Sequence, residues 1–104
     1  MSVLLEFSMF PTDKGTSVSE WVARVLDEID RSQIPYQLTP MGTIIETENL
    51  AQALRLVEAA YGRLEGDCER VYSSLKIDIR KGPPGRLQGK TKSLQDKLGR
   101  ELQT

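Results

Sequence analysis

Few residues in this chain are equipped for chemistry. Its 104 residues include no histidine and one cysteine, Cys68. Without histidine there is no Ser-His-Asp or Cys-His arrangement, no imidazole metal ligand and no imidazole acid or base. One cysteine cannot build a zinc or iron–sulfur centre. It cannot close an intrachain disulfide either, which suits a reduced, cytoplasmic setting. Cys68 has no activating partner beside it in sequence and reads as a bystander. Any catalysis would rest on carboxylates, lysines, tyrosines or Cys68. So thin an inventory favours a binding domain over an enzyme, with no metal and no cofactor expected.

Charge narrows the partners. Fourteen Lys and Arg against 15 Asp and Glu leave a net charge of -1. Such a balance makes no field to attract nucleic acid or an anionic membrane. Arg80, Lys81, Arg86, Lys90 and Lys92 form a basic stretch without acids, in a Pro/Gly-rich setting that reads as a solvated linker. The apolar runs are a few residues long, far below the roughly 20 that a membrane helix needs. No basic segment precedes an apolar one in the manner of a secretory signal.

The elements that must position these groups follow from periodicity. Residues 2–9 alternate: Val3, Leu5, Phe7 and Met9 on one face, Leu4, Glu6 and Ser8 on the other. Ser17 with Glu20 forms a capping-box pattern before a helix over about 18–31, whose apolar stripe is Val18, Val22, Val25 and Ile29. Tyr36–Pro40 reads as a short extended segment interrupted by Met41-Gly42, and Thr43–Thr47 as a strand; the two form a hairpin or a continuous bent strand pair with the Pro-Met-Gly segment at its corner. Asn49 caps a second helix with stripe Leu50, Ala53, Leu54, Val57, Ala60, Tyr61 and Leu64, stopped near Gly66. Val71–Ile79 is the clearest strand, with Leu75, Ile77 and Ile79 alternating with Ser74, Lys76 and Asp78. A linker over 81–90 then leads to a short helix, with Ser93 and Asp96 as its cap and Leu94, Leu98 and Leu102 as its apolar residues. The order predicts a single α+β domain over 1–104, a ferredoxin-like β-α-β-β-α-β plait with an extra C-terminal helix. Two helices would cover one face of a four-stranded antiparallel sheet. The other face, bearing Leu4, Glu6, Ser8, Lys76 and Asp78, would be bare and open to a partner.

Several segments carry a family resemblance. They are Val3–Ser8, Gly15–Ala23, Tyr36–Glu46, Arg70–Tyr72, Leu75–Arg80 and Lys92–Leu98. The run Leu38-Thr39-Pro40-Met41-Gly42-Thr43 is the most specific of them, with Lys76-Ile77-Asp78 in support. The blocks span almost the whole chain, and the pattern resembles the YkoF-like thiamine-binding family. The Pro11–Gly15 loop and the Gly82–Gly85 segment depart from it.

The resemblance implies a ferredoxin-like protein that binds thiamine, or its hydroxymethylpyrimidine half, near subunit interfaces and without catalysis. It also implies a homodimer or homotetramer joined through the open sheet face, which would bury Leu4 and engage Lys76 and Asp78. An aminopyrimidine needs a carboxylate or carbonyl facing its amino group, and a thiazolium needs negative charge or an aromatic face. Glu6 and Glu46 are the carboxylates on offer; each could instead be a solvated or ion-paired strand residue, with Lys76 as a partner. Ser8, Ser17 and Ser19 could donate hydrogen bonds, although Ser17 also suits the helix cap. Met41, Gly42 and Thr43 could wall a pocket, thioether against ring, or simply turn a strand corner. Lys76 and Asp78 could reach ligand or partner, or pair across strands. Trp21 could stack on a ligand but more readily packs its helix. An RNA-binding plait would need more exposed aromatics than Phe7 and Tyr72 on these strands. The alternatives are an assembly subunit with another ligand or none, and an enzyme on thiamine-related pyrimidines.

Overall fold

A computed structural model describes residues 1–104. Seven elements follow one another: β1 (Ser2–Pro11), α1 (Ser19–Arg31), β2 (Tyr36–Thr39), β3 (Gly42–Thr47), α2 (Leu50–Glu65), β4 (Val71–Arg80) and α3 (Arg86–Leu98). The strands form one antiparallel sheet in the order β2-β3-β1-β4. This is the ferredoxin-like plait with an added C-terminal helix. The alternation in β1 places Val3, Leu5, Phe7 and Met9 under the helices, where they meet Val25 and Ile29 of α1 and Ala53, Leu56, Ala60 and Leu64 of α2 in one buried cluster. Leu4, Glu6 and Ser8 lie on the opposite face at intermediate burial.

Four expectations need correction. The Ser17–Glu20 capping box does not form. Val18 occupies the cap position, and its carbonyl accepts from the N–H groups of Trp21 and Val22. The helix therefore starts one residue late for the Ser17 hydroxyl to cap it, and Glu20 instead reaches Arg24 at 3.8 Å. In α2 the buried line is Ala53, Leu56, Ala60 and Leu64, while Leu54 and Tyr61 are exposed. The small Ala53 and Ala60 let the helix sit close to the sheet, which narrows the covered stripe and leaves its flank in solvent. Asn49 does cap this helix, accepting from the Gln52 N–H at 2.8 Å.

The third correction is the start of α3. Residues 86–92 are helical rather than linker, and Ser93 and Asp96 lie inside the helix rather than at its cap. Gly85, at φ 94°, turns the chain in the left-handed region that favours glycine, and the helix begins at Arg86. Its exposed N–H groups are satisfied by a side chain from β3, a tertiary cap that no local motif announces. The fourth correction follows from the third. The open face is not fully bare, because the start of α3 is bonded to Ser2, Glu46 and Asp78, on the face that Leu4 shares.

Candidate functional site

The β2–β3 corner is built by its own side chains. Thr39 Oγ1 accepts from the N–H groups of Met41 and Gly42 at 3.2 and 3.1 Å and donates to the Gly42 carbonyl at 2.9 Å. Those bonds close the turn at Pro40-Met41 and leave the Met41 side chain 88% exposed. Gly42 lies hard against β1: a Cβ there would sit 2.9 Å from the Phe7 carbonyl oxygen. Glycine is therefore required for close approach at this position. Pairing between β1 and β3 stops at Phe7↔Thr43, while β1 continues to Pro11 beside β4 alone. Past Phe7, the β1 edge that faced β3 has no strand beside it.

A cavity of about 360 Å³ opens at that unpaired stretch. Its walls come from Phe7–Phe10 of β1, Val18, Val22, Val25 and Leu26 at the start of α1, and Leu38–Thr43 of the corner. Nine of the 14 lining residues are hydrophobic, with Ser8, Thr39 and Thr43 as the polar groups beside them. Ser8 and Met41 also line a second, shallower hollow on the open face with Glu6, Ser74, Leu75 and Lys76. The two concavities thus share a rim. Glu6 Oε1 is 3.5 Å from Lys76 Nζ, an ion pair across β1 and β4 at an exposed position.

Glu46 is elsewhere. It sits four residues along β3 from Gly42, about 13 Å at the usual strand rise. Its Oε2 accepts from Ser2 Oγ at 2.6 Å and from the N–H groups of Gly85 and Arg86 at 2.9 and 3.2 Å; Oε1 accepts from the Leu87 N–H at 3.3 Å. Burial pushes this carboxyl up, but the hydrogen bonds from Ser2 and from the main chain of Arg86, Leu87 and Gly85 outweigh it and hold it below the usual Glu value. Arg86 completes the lock. It donates to Ser2 Oγ, to the carbonyls of Ser2 and Asp78, and to the Asp78 carboxylate, at 2.8–3.0 Å. A second cavity, of about 440 Å³, lies beside Glu46 between Ser32–Pro35 and Gly85–Gln88. Of the two carboxylates on its wall, Glu46 is already committed to helix capping, while Glu48 is not.

The structure therefore brings together Glu6, Ser8, Met41, Gly42 and Thr43, with Lys76 at the rim. It separates them from Glu46. Ser17 and Ser19 flank Val18 in sequence but do not line the cavity. Leu4 is half-buried on the open face, and Asp78 is paired with Arg86 within the chain. Trp21 is engaged as well: Arg24 Cζ lies 4.3 Å and Lys14 Nζ 5.1 Å from its ring centroid. Sequence reasoning missed the α1 wall, Val22 and Leu26, because their apolar pattern is that of any core-facing helix. It also missed Arg86, placed in what read as a linker.

A profile of the thiamine-binding protein family matches residues 5–95. The chain belongs to that family. A UPF0045 protein of Methanothermobacter thermautotrophicus is 33% identical over 85 residues, covering 81% of this chain and 86% of its own. The UPF0045 protein MJ1052 of Methanocaldococcus jannaschii is 33% identical over 92 residues, covering 88% and 91%. The crystal structure of MJ1052 superposes with a TM-score of 0.79, covering 89% of this chain and 95% of that one. The crystal structure of a candidate thiamine biosynthesis/salvage protein from Thermotoga maritima superposes at 0.78, covering 90% and 99%; at 20% identity it speaks for the fold alone. The sequence blocks that resemble the YkoF-like proteins thus agree with the family match.

Proposed function

We propose that this member of the thiamine-binding protein family binds thiamine, or its hydroxymethylpyrimidine half, without transforming it, and does so in a homo-oligomer. The observation that carries the reading is the apolar corner cavity sharing its Ser8–Met41 rim with the hollow that holds Glu6. The ring system enters between Met41, Phe7 and the start of α1, with the thioether against the ring. The Ser8 and Thr43 hydroxyls and the unpaired edge of β1 past Phe7 orient its polar atoms. Glu6 offers the negative charge that a thiazolium or an amino group needs. The non-catalytic reading is supported by the thin set of acid–base groups, with no histidine in the chain and Glu46 bound on both oxygens.

Calorimetric titration tests this. Thiamine, hydroxymethylpyrimidine and thiamine phosphates are each titrated into the wild-type protein, Glu6→Gln and Glu46→Gln. The expected result is micromolar or tighter binding of one ligand, weakened about tenfold in Glu6→Gln, a loss the size of one charge-assisted hydrogen bond. Binding lost only in Glu46→Gln would move the site to the 440 Å³ cavity. Flat traces for all ligands would sink the ligand assignment. The assembly-subunit reading would then lead, favoured by the exposed row Leu75, Ile77 and Ile79 on β4.

A further inference from the structure

The corner cavity and the open-face hollow differ in charge. No charged residue lines the corner cavity, whereas the hollow, of about 250 Å³, has one acid and one base on its wall, Glu6 and Lys76. Phe7, Ser8 and Met41 line both, so one ligand can reach across them. The strand register builds the hollow. Glu6 stands opposite Lys76, and Ser8 opposite Ser74. Lys76 and Ser74 are therefore neighbours on the open face of β4, and Glu6 and Ser8 meet them from β1. The Glu6–Lys76 pair is loosely held, at 3.5 Å with the lysine side chain 86% exposed. Such an exposed pair contributes little, and the flexible lysine stem lets the ammonium follow a better anion.

We propose that this ion pair opens to take a ligand bearing both charges: the phosphate ester of thiamine, with its thiazolium against Glu6 and its phosphate on Lys76 and Ser74. Lys76 is then the residue that sets specificity among thiamine-like ligands. The charges assign the two ends. The neutral aminopyrimidine takes the uncharged corner cavity, because a cation there would lose its water without gaining a counter-charge. The one-carbon bridge crosses the rim at Ser8 and Met41. The thiazolium then enters the hollow, where Glu6 is the only acid.

Other ligands of the series answer the pair less well. Free thiamine takes Glu6 from Lys76 and leaves the ammonium beside a second cation. Hydroxymethylpyrimidine is neutral, leaves the pair intact and gains nothing from it. The phosphate ester satisfies both partners. Its thiazolium replaces Lys76 at Glu6, and its phosphate, with nearly two negative charges at neutral pH, receives the displaced ammonium. Ser74, beside Lys76, donates its hydroxyl to another phosphate oxygen. The ester preference rests on the ligand reading proposed above.

Calorimetry on the full chain at low salt tests it. Hydroxymethylpyrimidine, thiamine and thiamine monophosphate are titrated into the wild type, Lys76→Met, Lys76→Arg and Ser74→Ala. The wild type binds the monophosphate about fivefold more tightly than thiamine, the size of one exposed ion pair. Lys76→Met abolishes that preference, tightens thiamine and leaves hydroxymethylpyrimidine unchanged. Lys76→Arg restores the preference, since a guanidinium also receives phosphate. Ser74→Ala loses part of it, and added salt shrinks it in the wild type. Urea unfolding midpoints stay at the wild-type value, because both positions are exposed. Equal affinity for monophosphate and thiamine in the wild type, or an ester preference that survives Lys76→Met, would overturn the assignment of Lys76 and leave the binding reading standing. A Lys76→Met change of the same size for all three ligands would also overturn it, because it marks a structural role. Flat traces for all three ligands would overturn both.

Discussion

The two ends of β3 are opposites. At the Glu46 end the carboxylate takes four hydrogen bonds and Arg86 ties Ser2 to Asp78. At the Gly42 end the strand stops short of its neighbour, the wall is apolar, and Met41 is largely in solvent. The same strand thus carries an anchor and an opening. A carboxylate is informative about binding only where its bonding capacity is not already used. By that criterion Glu6, held by one exposed ion pair, remains available, and Glu46 does not.

The contrast can be broken most forcefully at Glu46. Glu46→Ala leaves the hydroxyl of Ser2 and the main-chain N–H groups of Gly85, Arg86 and Leu87 short of a partner; a loss of about 3 kcal/mol in urea unfolding is expected, since hydrogen bonds to a charged group contribute about 1.5–3 kcal/mol. Hydrogen exchange should show α3 released first. Acid acts on the same group. The ionised carboxylate is the form that accepts these bonds, and its value in the folded chain is lowered. Its stabilisation is therefore complete above the ordinary Glu value of about 4.3 and fades as pH falls through the lower folded value. Amide protection of residues 86–89 followed between pH 6 and 3 should decline in that window while the α2 amides stay protected.

The opening is tested by smaller effects. Gly42→Ala pushes a methyl into the Phe7 carbonyl at 2.9 Å and should cost about 1–2 kcal/mol, as overpacking usually does, with a narrower cavity and weaker ligand binding. Met41→Ala should change stability by less than about 0.5 kcal/mol, as surface substitutions do, yet reduce affinity for thiamine severalfold by calorimetry. If Met41→Ala binds as the wild type does, the ring does not lie against the thioether and the corner reading needs another wall.

Much of this contrast was legible in the amino-acid sequence, and what was not has a common cause. The alternation in β1, the Asn49 cap and the Pro-Met-Gly corner are local patterns, and each stands where its spacing placed it. The α3 start was illegible because its cap is Glu46, about forty residues away in sequence. Arg86 looked like linker charge for the same reason, since its partners Ser2 and Asp78 are supplied by β1 and β4. Ser17 failed in the opposite way: the motif was present, but the helix began one residue later. Grouping Glu46 with the corner residues treated a strand as a point. Both glutamates do lie on one face, as Glu46↔Leu4 and Glu6↔Ile44 show, but the distance along β3 separates a ligand-sized site from a helix anchor.

Trp21 gives the molecule a native optical probe. It is the sole indole of the chain, held between Lys14 of the first loop and Arg24 of its own helix, one residue from Val22 in the cavity wall. Its emission should respond to any rearrangement of that wall, so occupancy of the corner becomes visible in unlabelled protein.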